Sequence, residues 1–324
     1  MKKFLVIQTA FIGDVVLATG ILEKLHLFYP DAEIDLLVRK GNEGLFSNHP
    51  SLHKLLIWDK KKNKYKNLFE IIKEIRQRKY DVVINVQRFA ATGFLTVFSG
   101  ARSTVGFDKN PWSFLFTKKI KHRISNDKNI VHEIERNNDL IAHLTDEKPE
   151  RPKLYPSQED YEKVKQYQQQ PYICIAPASV WFTKQYPKEK WMEFIDALPE
   201  DLQVYLIGAK DDIVLSDEIK SASRHARITN LCGQLNFLQS AALLQNAVMN
   251  YVNDSAPLHL ASSVNAPVTA FFCSTVPEFG FGPLSDDSKV LGVTDLACRP
   301  CGIHGYKACP LGHFKCGHQM PLPL

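Results

Sequence analysis

Short runs of β-branched and aliphatic residues alternate along this chain with stretches patterned for helices, and few folds accommodate that alternation. In the first half the runs are Phe4 to Gln8 (FLVIQ), Glu33 to Val38 (EIDLLV), Lys54 to Trp58 (KLLIW) and Asp81 to Val86 (DVVINV). Between the last two, Asn67 to Tyr80 places Leu68, Ile71, Ile72 and Ile75 at helical spacing with charges on the other face. Strands separated by helices predict parallel sheets with crossover connections. From Asn126 to Gln170 the strand pattern stops, and Pro149, Pro152, Pro156 and QYQQQP mark an interdomain stretch. A second series follows: Tyr172 to Ala176, Gln203 to Gly208, Val248 to Asn253 and Val268 to Phe272, with the helical FLQSAALLQNA before the third. The expectation is α/β: two doubly wound, Rossmann-like domains, 1–165 and 166–324. Ligands would lie beyond the carboxyl ends of their strands.

A length of 324 residues, 44% hydrophobic and 23% charged, is enough for two full cores. Lys2-Lys3 followed by apolar residues resembles the start of a secretory signal, but Asp14 interrupts the run. No other stretch approaches the roughly 20 apolar residues of a membrane span. A soluble, cytoplasmic protein is expected, with Cys174, Cys232 and Cys273 as reduced core thiols. The net charge of +5 concentrates in Lys60 to Lys66 and Lys118 to Ile124. These segments read either as solvated loops and helix faces or as a surface for an anionic partner, a membrane leaflet or a phosphorylated substrate. Neither carries the interleaved aromatics of a nucleic-acid stacking platform, so no nucleic-acid partner is expected.

Three strand-to-helix turns carry candidate chemistry. Gly13-Asp14 follows the first strand; Asp14 reads either as a helix N-cap or as a reactive carboxylate. Gly13 and Gly20 do not make a dinucleotide fingerprint, and an acid there would repel a pyrophosphate. Ser179 and Lys184, in PASVWFTKQYPKEKW, follow the first strand of the second series and suit an anion-receiving loop. Asp254, Ser255, Ala256 and His259, in NDSAPLHLASS, open a helix at a strand end; Asp254 and Ser255 are N-cap types and Pro257 fits a first turn. The loop beginning Cys273-Ser274-Thr275 should line the same cleft.

Taken together, GDVV, the Ser179/Lys184 loop, NLCGQLNFLQSAALLQNA, NDSAPLHLASS and FFCSTVPEFGFGP resemble, in order and spacing, glycosyltransferase family 9, the ADP-heptose:lipopolysaccharide heptosyltransferases. The terminal cysteines resemble the tail of the heptosyltransferase II branch. The resemblance implies a GT-B fold of two facing domains with the active site in the cleft between them, and inverting transfer of a heptose or related sugar from an ADP-sugar to a phosphorylated lipopolysaccharide core acceptor. It also implies peripheral contact with the inner-membrane surface and no required cofactor. By motif, Asp14 is the catalytic base beside Gly13, Lys184 meets the donor diphosphate, and Asp254 opens the donor-binding helix. Ser179, Ser255 and Thr275 fall at polar positions of the donor pocket. The chain departs from the family in having Ala256-Pro257 where glycine is usual, and in stopping at Leu324 where a further helix is expected.

Cys298-x-x-Cys301 with Cys309 and Cys316 has ligand types and spacings for a structural Zn²⁺ site, and equally for a compact tail of reduced thiols. Two other readings remain open: another GT-B-like enzyme, with a different nucleotide sugar or an epimerase activity, and a non-catalytic binding protein.

Overall fold

A computed structural model of the protein describes residues 1–61, 63–125 and 130–324, without the side chains of residues 64 and 65. Lys62 of the first basic run and residues 126–129 at the head of the expected interdomain stretch lie outside the described residues.

The chain divides into two compact units, one made of Met1–Ile124 and Val131–Tyr155, the other chiefly of Pro156–Leu324. The first holds β1 (Lys3–Ile7), α1 (Ile12–Leu17), α2 (Thr19–Phe28), β2 (Glu33–Arg39), β3 (Lys54–Trp58), α3 (Lys64–Arg78), β4 (Val82–Asn85), α4 (Ala90–Val97), β5 (Ser103–Phe107), β6 (Lys118–Ile120) and α5 (Glu133–Asp139). The second holds α6 (Gln158–Val164), β7 (Tyr172–Ala176), α7 (Lys188–Asp196), β8 (Gln203–Leu206), α8 (Ile213–Ala222), β9 (Ile228–Asn230), α9 (Phe237–Gln245), β10 (Met249–Asn253), α10 (Ala256–Ser263), β11 (Val268–Phe271), β12 (Ser288–Leu291) and α11 (Lys315–His318). Helix α5 packs on α2 of the first unit, and α6 packs on α9 of the second. The expected boundary at residues 165 and 166 falls just after α6.

Each unit is built on one six-stranded sheet, ordered β3-β2-β1-β4-β5-β6 in the first and β12-β11-β10-β7-β8-β9 in the second. All pairings are parallel, with Leu5 opposite Asp35 on one side and Val83 on the other. The two orders are the same winding, the one typical of dinucleotide-binding folds. In each, the chain reverses direction across the sheet between the first and fourth strands, β1/β4 and β7/β10. Phe4, Leu5, Val6 and Ile7 are completely buried because β1 is central and covered on both faces, which is why its sequence is a continuous apolar run.

Asp35 sits in the middle of β2 and is fully buried, yet it is satisfied. It accepts from Tyr80 Oη at 2.6 Å and Arg78 Nε at 3.0 Å, and His53 Nδ1 lies 3.0 Å away. Pairing of this kind lets an acid interrupt a buried strand without an orphaned charge. In the second unit Trp191 is the hub of an aromatic core, 5.0 Å from the Tyr186 ring and 4.8 Å from Phe271. Phe314, Cys316 and Met320 of the tail join that core.

One basic segment departs from both expected settings. Lys118 to Ile124 was expected in a loop or on a helix face, but Lys118–Ile120 forms the edge strand β6 beside β5. Lysine is suited to a sheet edge, since its charge opposes further strand pairing. Among the described residues, no helix is long and apolar enough to cross a membrane.

Candidate active site

Parallel doubly wound sheets open a crevice where strand order reverses, because the connections on either side of that point leave to opposite faces. In the first unit that point lies between the ends of β1 and β4. Thr9, just past β1, donates its hydroxyl to Gln87 Oε1, just past β4, and the Thr9 N–H reaches the same oxygen at 3.2 Å. Lys60 Nζ completes the cluster, donating to Thr9 Oγ1 at 2.7 Å and Thr9 O at 3.1 Å while lying 4.7 Å from the Trp58 ring centre.

Asp14 belongs to the same carboxyl edge. The helix-cap reading of Asp14 is not what the fold adopts: Phe11 is the N-cap of α1, and Asp14 lies in the first turn after Gly13. A carboxylate there gains from the partial positive charge of the helix start. Its charge acts on Arg39, whose guanidinium lies 4.8 Å from the Phe11 ring; burial lowers the Arg39 pKa and Asp14 partly restores it. Asp14 is half-buried. Nearby Glu133, on α5, is pushed up by burial and held by Arg136 at 2.7 Å. Arg88, exposed just beyond Gln87, adds a further cation to this edge.

In the second unit the reversal point lies between the ends of β7 and β10, and Asn253 bridges it. Its Nδ2 donates to Pro177 O at 2.8 Å, and its Oδ1 accepts from Tyr186 N at 2.9 Å. The next residue, Asp254, is buried and gathers two expected site residues around one oxygen: Lys184 Nζ at 2.6 Å and Thr275 Oγ1 at 2.6 Å from Oδ2. Asp254 is therefore not the cap of α10. Ser255 is, and it makes no side-chain cap bond; its hydroxyl donates instead to Asn253 O at 3.3 Å. Ala256 and Pro257 form the first turn, where proline loses no hydrogen bond because its position has no acceptor within the helix.

Ser179 is half-buried in the loop after β7, and its carbonyl accepts from Gln185 Nε2 at 2.7 Å. His259 lies buried on α10, with the Phe281 ring 6.3 Å away. The fold thus brings Lys184, Asp254 and Thr275 into direct contact, with Ser255 and Ala256 adjacent at the start of α10. Thr9 and Gln87 went unrecognised in the sequence, and Lys60 and Asn253 were noted only as the first residues of the basic run and of NDSAPLHLASS. Their roles arise only when strand ends far apart in sequence come together; the one available signal was a polar residue immediately after an apolar strand. The tail cysteines Cys298, Cys301, Cys309 and Cys316 line one cavity. Among the described residues, no three Cys, His, Asp or Glu side chains stand close enough together to hold a metal.

Residues 68–308 match the family model for glycosyltransferase family 9 (heptosyltransferase). The chain belongs to glycosyltransferase family 9. Lipopolysaccharide heptosyltransferase 3 of Escherichia coli is 27% identical over 279 residues, covering 82% of each chain. The solved E. coli ADP-heptose lps heptosyltransferase II superposes with a TM-score of 0.79 at 21% identity, over 94% of this chain and 92% of that one. The E. coli heptosyltransferase WaaC, solved with ADP, gives a TM-score of 0.71 at 17% identity, over 89% of this chain and 92% of that one. The protein is a glycosyltransferase with the two Rossmann-like domains of the GT-B fold.

Proposed function

We propose that this family 9 glycosyltransferase moves a heptose or a closely related sugar from an ADP-sugar to a phosphorylated lipopolysaccharide core acceptor, with inversion at the anomeric carbon. The observation that carries the reading is the Lys184–Asp254–Thr275 cluster at the start of α10, at the reversal point of the second sheet. A cation beside the positive end of a helix suits a diphosphate. The similarity to a heptosyltransferase solved with ADP supports adenosine diphosphate as the carrier.

In this mechanism the donor diphosphate lies against Lys184 and the first turn of α10. The acceptor hydroxyl attacks the anomeric carbon from the face opposite the diphosphate. The carbon–oxygen bond to the diphosphate breaks, and its electron pair leaves with ADP. Asp14 takes the hydroxyl proton as the new bond forms, which contributes roughly 10²- to 10⁴-fold. Negative charge grows on the departing phosphate, where Lys184 and the positive end of α10 stabilise it, so the protein supplies what a divalent metal supplies elsewhere. Arg39, on which the Asp14 charge acts, and Arg88, which with Asp14 acts on Glu133, suit the phosphates of a core acceptor, and that acceptor's lipid anchor would bring the enzyme to a membrane surface.

A thermal-shift panel of ADP-, UDP- and GDP-sugars tests the donor. An adenosine donor at a hundred times its dissociation constant adds about 2.7 kcal/mol of stability. Stabilisation by UDP- or GDP-sugars alone would replace the donor, and no response to any of them would favour a non-catalytic protein.

A further inference from the structure

Helices α3 and α4 cover one face of the first sheet: Ile71, Ile72 and Ile75 of α3 share a core with Leu95 of α4 and with Leu5 and Val83 of the strands beneath. The helices abut, since Arg76 Nη1 on α3 donates to Phe98 O at the end of α4, at 3.2 Å. Their outward side is unusually apolar. The Phe94 and Phe98 rings lie 4.6 Å apart, and the Trp112 ring stands 6.0 and 5.9 Å from them. Directly after Trp112, a single 3-10 turn at Ser113–Leu115 presents Phe114 and Leu115. Phe98, Phe114 and Leu115 are 41%, 73% and 48% exposed. Single exposed apolar residues are ordinary, but a contiguous aromatic strip marks a contact surface.

Cations flank this strip on both sides. On α3, Phe69, Lys73 and Arg76 are all exposed and recur at i, i+4 and i+7, one outward stripe. The acids of α3 nearby are already paired, Glu74 with Lys54 at 2.7 Å and Glu70 with Lys66 at 3.9 Å. On the far side stands Lys119 of β6, whose direction follows from register. Val83 faces the helices, so Asn85, two residues along β4, does too; Asn85 is opposite Gly106 of β5, and Gly106 is opposite Lys119. The Phe116 ring packs on Gly106, which ties the Phe114–Leu115 turn to that same face.

We infer that α3, α4, the turn at Ser113–Leu115 and the edge strand β6 form a docking face for an anionic phospholipid leaflet. Phe98, Phe114 and Leu115 would enter the acyl boundary, Trp112 would lie at headgroup depth, and Lys73, Arg76 and Lys119 would meet lipid phosphates. A second copy of the chain fits the face poorly, because two-fold pairing would set cations against cations. The inference deepens the reading of a lipid-anchored acceptor by giving the protein its own hold on the leaflet.

Co-sedimentation of the full chain with vesicles free of lipopolysaccharide tests the face. Vesicles of phosphatidylglycerol and phosphatidylethanolamine should bind at least about tenfold more tightly than phosphatidylcholine vesicles, and less tightly as salt rises. Phe114→Ser/Leu115→Ser and Lys73→Glu/Lys119→Glu, each checked for folding by urea melts, should each weaken that binding by about tenfold or more. Should the first variant fail to fold, the second carries the test, since both of its lysines lie on the surface. No binding to either vesicle, equal binding to both, or unchanged binding in either folded variant would overturn the inference. So would a dimer in sedimentation velocity that Phe114→Ser/Leu115→Ser dissociates, because the face would then serve a second copy. As these vesicles hold no acceptor, failure here leaves the transfer reading standing. Binding as expected by a protein that transfers no sugar would support the face and count against the transfer reading alone.

Discussion

Lys184 Nζ stands 2.6 Å from the same Asp254 oxygen that accepts the Thr275 hydroxyl. The carboxylate holds the cation beside the first turn of α10 before any ligand arrives. Without it, a lysine side chain would have to surrender rotamer freedom on binding, at roughly 2 kcal/mol. Lys184→Met should therefore cut ADP affinity at least tenfold and kcat by about 10²-fold or more, the scale of losing one charge-stabilising donor. Titration calorimetry and steady-state kinetics check this.

Asp254→Asn breaks a largely buried pair and should destabilise the free protein by about 3 kcal/mol. Saturating ADP should recover more stability in this variant than in wild type, because the diphosphate offers Lys184 a new partner. Urea melts with and without ADP measure both effects.

At Gly20, an added Cβ would stand 2.5 Å from the Glu150 carbonyl oxygen. Alanine normally stabilises a helix interior by up to about 1 kcal/mol relative to glycine. Here α2 must instead move off a backbone atom that cannot rotate away, and overpacking of this kind costs about 1–3 kcal/mol. Gly20→Ala should lower the urea midpoint with an unchanged m-value.

Burial, reinforced by Arg88 and Arg136, brings the His122 pKa down from 6.5 to about 4. Between those values the unfolded chain binds a proton that the folded chain refuses, so stability is fully present above pH 6.5 and falls as pH drops toward 4. Because the ring is only half-buried, the loss is discounted to about 1–2 kcal/mol. His122→Gln should flatten that part of the stability–pH curve.

The central strands were legible in the sequence because burial on both faces writes an unbroken apolar run, as in Phe4 to Ile7 and Tyr172 to Ala176. Strands β6 (KKI), β9 (ITN) and β12 (SKVL) were not, since each is short and lies at a sheet edge, where little burial is asked of it. Strand β5 (STVGF) is interior, but its Ser, Thr and Gly interrupt the apolar run; at Gly106 the Phe116 ring fills the space of a side chain. Among the candidate site residues, Asp14, Lys184 and Asp254 were marked by the turns that carry them. The Thr9–Gln87 and Asn253–Pro177 bonds were not, because each joins segments more than 70 residues apart, and only the sheet order brings them together.

Transfer by Asp14→Asn, measured alongside its ADP affinity, tests the proposed chemistry most directly. The variant should fold, bind ADP as wild type does, and lose turnover by two orders of magnitude or more, since asparagine matches the shape of the carboxylate but cannot take the acceptor's proton. Turnover near wild type with ADP binding intact would contradict the assignment of Asp14 as the base.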